Sequence, residues 1–285
     1  MALIRTAYHT HNRYCDGIGE IAQYAEAAAA AGLGALGVTS HAPLDFPDEA
    51  AMRAADLPAY CADVARVRAA WQGRLAVHLG LEFDYIPERH DALWALVAPY
   101  PFEFLIGSVH FLGETALGVP WAYDLTRRGF EEGLHRHFAG EVRRLVGAYY
   151  ERIRGLAAWG GVAIVGHLDR VKKWNAGNRY FREDDAWYVR EVEATLHACA
   201  RADLIVELNT AGWRDAVRSP YPSPWILRRC LALGIRLLVT TDAHSPAQVT
   251  DHHQEADALL REVGCTEVAA LRDGAWTMVP LDAPP

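Results

Sequence analysis

Seven short runs rich in leucine and β-branched residues, with helical periodicity between them, constrain this 285-residue chain more than any other feature. They are residues 3–9 (LIRTAYH), 34–40 (GALGVTS), 75–82 (LAVHLGLE), 103–109 (EFLIGSV), 162–166 (VAIVG), 204–209 (LIVELN) and 235–241 (IRLLVTT). Between them, 18–31 puts Ile18, Ile21, Ala25 and Ala29 on one stripe, and 57–72 spaces Leu57, Tyr60, Val64, Val67 and Trp71 as a helix does. The longest pattern, 126–159, repeats Phe130, Leu134, Phe138, Val142, Leu145, Tyr149, Ile153 and Leu156 every three or four residues and stops at Gly160-Gly161. Segments 184–202 and 222–233 behave alike. With no linker or composition break, repeated strand–helix units predict a mostly parallel sheet in one α/β domain over 1–285. The stretch 266–280, inside a tail of about 266–285, reads as two turn-linked extended pieces and is treated as an appendage.

Composition narrows the function. A hydrophobic fraction of 51% supplies a sizeable core and excludes disorder, while a formal charge of -8 without a basic run argues against nucleic-acid binding. The start MALIRTAYHTH lacks the features of a secretory leader, and no stretch reaches about 18 uninterrupted apolar residues, so a soluble, cytoplasmic protein that binds no membrane is expected. Five scattered cysteines without a C-x-x-C pair read as reduced packing residues.

The 13 histidines decide the chemistry. Strand exits carry His9-x-His11, His41, Glu82, His110, His167 and Asp242-x-His244. In an α/β barrel all strand C-termini meet on one face, so these residues converge although 230 positions separate the extremes. Residues two apart on a strand point the same way, so His9 and His11 can grip one ion, as can Asp242 and His244. An isolated H-x-H occurs by chance in many chains, but with Asp16 the set reaches nine nitrogen or carboxylate donors, more than one ion uses. Two or three divalent ions follow, with zinc, iron and manganese equally suited. The other seven histidines read as ordinary: His135 and His137 on a charged helix, His197 in another, His90, His252 and His253 in polar settings. His78 lies about 13 Å down its strand from Glu82, too deep to join.

The motifs YHTHNRYCDG at 8–17, VTSHAPL at 38–44, GLEFD at 80–84, IGSVHF at 106–111, VGHLDRVKK at 165–173, ELNTAGWR at 207–214, YPSPWILR at 221–228 and TTDAHSP at 240–246 resemble, in order and spacing, the PHP (polymerase and histidinol phosphatase) superfamily, specifically its monofunctional histidinol-phosphatase branch. That resemblance implies a distorted (β/α)7 barrel. It also implies three metals: one on His9, His11, Glu82 and Asp242, one on Glu82, His110 and His167, and one on Asp16, His41 and His244. The implied reaction is hydrolysis of L-histidinol phosphate to L-histidinol and phosphate, through attack of a metal-bridging hydroxide. Asp242 or His244 would protonate the leaving group. Arg214 is the first phosphate-binding candidate, with Lys173, Lys172 and Arg13 behind it, and Glu207 is read as a hydrogen-bonding support. Loop 112–125 is expected to border the site, and Trp121, Trp187 or Trp213 could form a homodimer contact, a pocket wall or a lid. Other readings are a phosphoesterase acting on another small ester or nucleotide, a metal-binding module without turnover, and a metal-dependent amidohydrolase.

Overall fold

The structure is a computed structural model that describes residues 6–114 and 118–281. Its strands are β1 (Thr6–Ala7), β2 (Ala35–Val38), β3 (Ala76–Asp84), β4 (Phe104–Ser108), β5 (Phe111–Glu114), β6 (Pro120–Ala122), β7 (Ile164–Val165), β8 (Ile205–Asn209), β9 (Leu237–Thr240), β10 (Glu267–Arg272) and β11 (Ala275–Pro280). The helices are α1 (Ile21–Ala30), α2 (Leu57–Trp71), α3 (His90–Val97), α4 (Arg127–Phe138), α5 (Val142–Trp159), α6 (Ala186–Arg201), α7 (Ala211–Arg214), α8 (Pro224–Ala232) and α9 (His253–Glu262). Each of the seven expected strands is present, although residues 3–5 of the first lie outside the described residues. They form one sheet in the order β1-β2-β3-β4-β7-β8-β9 with every neighbouring pair parallel. Just beyond β1 and β9 a parallel bridge between Thr10 and Ala243 joins the two edges, with the His11 amide donating to the Ala243 carbonyl at 2.8 Å and the Ala243 amide to the His9 carbonyl at 3.2 Å. The fold is therefore a nearly closed seven-stranded α/β barrel, whose helices bury their apolar stripes against its outer wall.

Tyr8, Ala35, Phe104, Ile106, Ile164, Ile205 and Leu238, on and beside the barrel strands, make a second, separate core. Gly37 and Gly80 leave room for the Phe104 ring, because a Cβ at either position would come within 2.8 Å of it. The β10–β11 hairpin corrects the expectation of an appendage. It inserts Ala269 and Leu271 into this inner core, sets Trp276 edge-on to Tyr8 and Phe104, and has the Leu271 amide donate to Tyr8 Oη at 2.9 Å. The hairpin is the plug of the barrel's lower end. No local pattern shows this, since the partner that fixes the plug by hydrogen bond, Tyr8, lies 263 residues before Leu271.

The single helix expected over 126–159 is two, α4 and α5. Ala139 adopts φ 54° and Gly140 φ 79°, and both amides bond the Leu134 carbonyl, which ends α4 in a left-handed turn. The periodicity runs through the break because Phe138 and Val142 still face the same core. No helix among the described residues is long and apolar enough to cross a membrane.

Leu271 is 4% exposed inside the plug. Leu271→Ala should lower unfolding free energy by about 2–5 kcal/mol, read as a lower urea midpoint at unchanged slope. A true appendage would give no change.

Candidate metal centre

All nine sequence-selected metal candidates lie at the upper, C-terminal end of the barrel, and possible ligand atoms gather in four overlapping groups. Within each group the atoms are no more than 4.8 Å apart: His9, His11 and Glu82; Glu82, His110 and His167; His11, Asp16, His41 and His244; and His41, Asp84 and His110. Asp242 joins the first, its Oδ1 lying 3.0 Å from His11 Nε2 and 3.7 Å from His9 Nε2. Glu82, 1% exposed, is the hinge of the arrangement. Its Oε2 faces His41 Nδ1 at 3.0 Å, His9 Nε2 at 3.2 Å and His11 Nε2 at 3.4 Å, and its Oε1 faces His167 Nε2 at 3.1 Å and His110 Nε2 at 3.7 Å. One oxygen thus serves each of two groups of imidazoles. That is the geometry of a carboxylate shared between two cations.

Two strand exits are strained to achieve this. His167 and Asp242 hold positive φ, 23° and 49°, in a region that costs a residue with a side chain roughly 1–3 kcal/mol. Gly17, beside Asp16, permits another close approach, since a Cβ there would lie 2.3 Å from the Asn12 nitrogen.

The imidazoles are oriented from behind. His9 Nδ1 pairs with Glu207 Oε2 at 3.0 Å, and Glu207, wholly buried, also accepts from the His167 amide, Asn209 Nδ2 and Thr240 Oγ1. The supporting role expected of Glu207 matches this position. Asp84 Oδ1 pairs with His110 Nδ1 at 3.0 Å and accepts from its amide, and His244 Nδ1 lies 3.0 Å from the Asp242 carbonyl. A neutral His9 donating from Nδ1 presents a bare lone pair at Nε2. Yet His9 Nε2, His11 Nε2 and Glu82 Oε2 are buried, have no hydrogen-bond partner and face one another. Mutually facing acceptors need positive charge between them, so the donor set fits divalent cations.

Protonation in the metal-free protein tells the same story. Burial opposes a charge on His9 and His41, but Glu207, Glu82 and Asp242 around the first and Glu82 and Asp16 around the second outweigh it and hold both imidazoles well above their ordinary value. Burial likewise opposes ionisation of Glu82 and Asp242, yet His9, with His41 at Glu82 and His11 at Asp242, keeps both carboxyls well below theirs. His11, buried and beside His244 and His41, falls to about 3. Protons substitute for metals in balancing the buried carboxylates.

The cleft above the cluster holds about 570 Å³ of empty space, part of it open to solvent, and Asp16, His41, Glu82, His110, Asp242 and His244 form its floor. Its wall comes from Leu44, Asp48, Ala50 and Ala51 after β2, and from Phe111, Ala122, Asp124 and Leu125 around the β5–β6 hairpin, the last three within the segment 112–125 expected to border the site. Residues 115–117 of that segment lie outside the described residues. Among the described residues the guanidinium in this lining is that of Arg170, which sequence reasoning missed. Its Nε donates to Asp124 Oδ2 at 2.5 Å and its Nη1 lies 3.6 Å from Asp242 Oδ2. Its position three residues after His167, in the turn leaving β7, was the available signal.

The preferred phosphate candidate, Arg214, is not among the lining residues. Its guanidinium braces the β9 exit from outside, donating to the Thr241 and Asp242 carbonyls at 2.8 and 3.0 Å, with Asp251 at 3.4 Å. Lys173 lies 3.8 Å from Asp124 and 3.6 Å from Asp215, beside Arg170 but outside the lining set. Lys172 is wholly buried and paired with Asp169 at 2.8 Å, and Arg13 sits at the surface with Glu20. His78 pairs with Glu103 far down its strand, whereas His253, expected in a polar setting, is buried at the start of α9 and held at about 4 by that burial. Trp121, Trp187 and Trp213 are half-buried: Trp121 stacks on His137, Trp187 meets Phe181 edge-on, and Trp213 lies tilted against His252.

With this geometry in hand, the comparisons define the class. The PHP domain family matches residues 7–211, and the chain belongs to that family. It is 32% identical over 261 residues to a probable histidinol-phosphatase of Deinococcus radiodurans, covering 90% of this chain and 92% of that one. It is 29% identical over 258 residues to the histidinol-phosphatase of Bacillus subtilis, covering 85% and 94%. Among solved structures, the histidinol phosphate phosphatase of Lactococcus lactis, complexed with zinc, L-histidinol and phosphate, superposes with a TM-score of 0.73 at 20% identity, covering 96% of this chain and 98% of that one. This likeness establishes the PHP-type barrel.

Two outcomes test the centre. Glu82→Gln should retain at most one metal equivalent after dialysis where the native protein retains two or more, read by elemental analysis. Because His9 and His41 must lose protons before they can ligate, metal uptake should release protons, and apparent affinity should rise with pH through the neutral range. Calorimetry in buffers of different ionisation enthalpy measures both.

Proposed function

We propose that the protein is a metal-dependent phosphatase that hydrolyses L-histidinol phosphate to L-histidinol and phosphate in histidine biosynthesis. The observation that carries this reading is the shared carboxylate of Glu82, with one oxygen toward each of two imidazole groups, in an open cleft lined by a guanidinium. The likeness to histidinol-phosphatases along nine-tenths of the chain supplies the substrate.

His9, His11, Glu82 and Asp242 would hold one ion, Glu82, His110 and His167 a second, and Asp16, His41 and His244 a third, with zinc, iron or manganese suited to these donors. Divalent ions so held lower the pKa of water toward neutrality and offset charge on phosphoryl oxygens. The protein's own groups do the rest. Arg170 offers planar donors to a phosphate at the cluster's edge, and Asp124 keeps its guanidinium oriented there. Lys173 adds charge to the same corner. Of the two groups considered for protonating the departing alkoxide, Asp242 is held ionised by His9 and His11. His244, at the rim, is raised above its ordinary value by Asp16 despite burial, which makes it the better placed of the two to hold a proton. The five free cysteines suit a reducing cytoplasm.

Purified protein loaded with Mn²⁺ or Zn²⁺ should release phosphate from L-histidinol phosphate with a kcat/KM above about 10⁴ M⁻¹s⁻¹. His9→Ala should abolish turnover, Arg170→Ala should chiefly raise KM, and Arg214→Ala should lower thermal stability and kcat together. Faster turnover of nucleotides or other esters than of histidinol phosphate would reject the substrate and keep the chemistry.

A further inference from the structure

Among the carboxylates that line the cleft, all but one have a basic partner. Asp16 faces His244, Glu82 faces His9 and His167, Asp84 pairs with His110, Asp124 with Arg170, and Asp242 with His11. Asp48 does not. Its Oδ1 accepts from the amides of Ala50 and Ala51 at 2.9 and 3.1 Å, a local turn that fixes the side chain, and no Lys, Arg or His of the described residues pairs with it. It stands in the cleft wall with Leu44, Ala50 and Ala51, where apolar neighbours reduce competition from water. The segment carrying it starts from the His41 exit and is tied back by the Met52 amide donating to the His41 carbonyl at 3.2 Å, so it moves with the metal cluster. The cleft is thus bipolar: a cationic corner at Arg170 and a fixed, unneutralised anion at Asp48.

A phosphate monoester seated at Arg170 and the metal cluster exposes only its leaving group to the remaining wall. We propose that Asp48 is a specificity-determining residue that binds a protonated amine on the leaving group, so that the site selects cationic alkyl phosphates over neutral or anionic ones. This rests on the reading of the site as a phosphatase for histidinol phosphate, whose alcohol portion carries such an ammonium. The same charge disfavours nucleoside di- and triphosphates, whose further phosphates would meet Asp48. The attraction is a charge-assisted hydrogen bond, strong in a partly desolvated wall.

The test compares L-histidinol phosphate with its deamino analogue, 3-(imidazol-4-yl)propyl phosphate, in the metal-loaded native protein, Asp48→Asn and Asp48→Lys. Asparagine retains the Oδ1 acceptor for the Ala50 and Ala51 amides, so the turn is kept, and metal content reports on folding. The expected result is that the native protein prefers histidinol phosphate by about tenfold or more, and that Asp48→Asn removes most of that preference, mainly through KM. Asp48→Lys should invert it. Equal losses on both substrates, or a native protein indifferent to the amine while hydrolysing both well, would overturn this proposal alone. A native protein that turns over neither would reject the phosphatase reading and this inference with it.

Discussion

A carboxylate that is 1% exposed and ringed by imidazoles from four different strand exits sets the terms for the whole molecule. Burying Glu82 as an anion is unfavourable unless positive charge meets both its oxygens. His9, His41, His110 and His167 can provide that only if their strands end at one height around one ring. The barrel is the solution to that requirement, since a parallel arrangement brings every strand's C-terminus to the same face. Protons on His9 and His41, or metals in their place, then neutralise an otherwise intolerable cluster. Acidification and chelation therefore act on the same balance.

The rest of the architecture keeps that ring rigid. Glu207 ties His9, just past β1, to the His167 exit of β7 and to Thr240 of β9, so one buried side chain fixes the spacing of three strands. Arg214 performs a related task from outside by holding the carbonyls that flank the strained Asp242. Below, the inner apolar core and its hairpin plug stop the ring from collapsing inward or admitting water. Polar chemistry occupies one end of the barrel and close packing the other.

Much of this was legible in the sequence because the relevant signals are local. Strand runs announce themselves by composition, and a strand exit is the residue that follows, so His9, His41, Glu82, His110, His167 and Asp242 could be selected before any contact was known. Asp84 lies two positions beyond Glu82 on the same face and could have been read with it. Arg170 and Arg214 were harder. Both are arginines just past a strand exit, and only the path of the following turn decides which guanidinium enters the cleft and which passes behind it. The division of 126–159 into α4 and α5 escaped because periodicity reports which face is buried, and that face is unchanged across the break. The role of the tail escaped because its partners, Tyr8 and Phe104, are remote in the chain.

The bridge between Thr10 and Ala243 joins the first and last turns of the barrel. A chain emerging from the ribosome places His9 and His11 in the world long before Asp242 and His244, and the plug that supports β1 follows later still. Until β9 and its exit are present, the Thr10 edge has no partner at Ala243, and His9 and His11 lack the carboxylate of Asp242 that faces them in the folded ring. The donor set is thus a property of ring closure: the first and last strands of the sheet must meet before Asp242 and His244 stand beside His11 and Asp16.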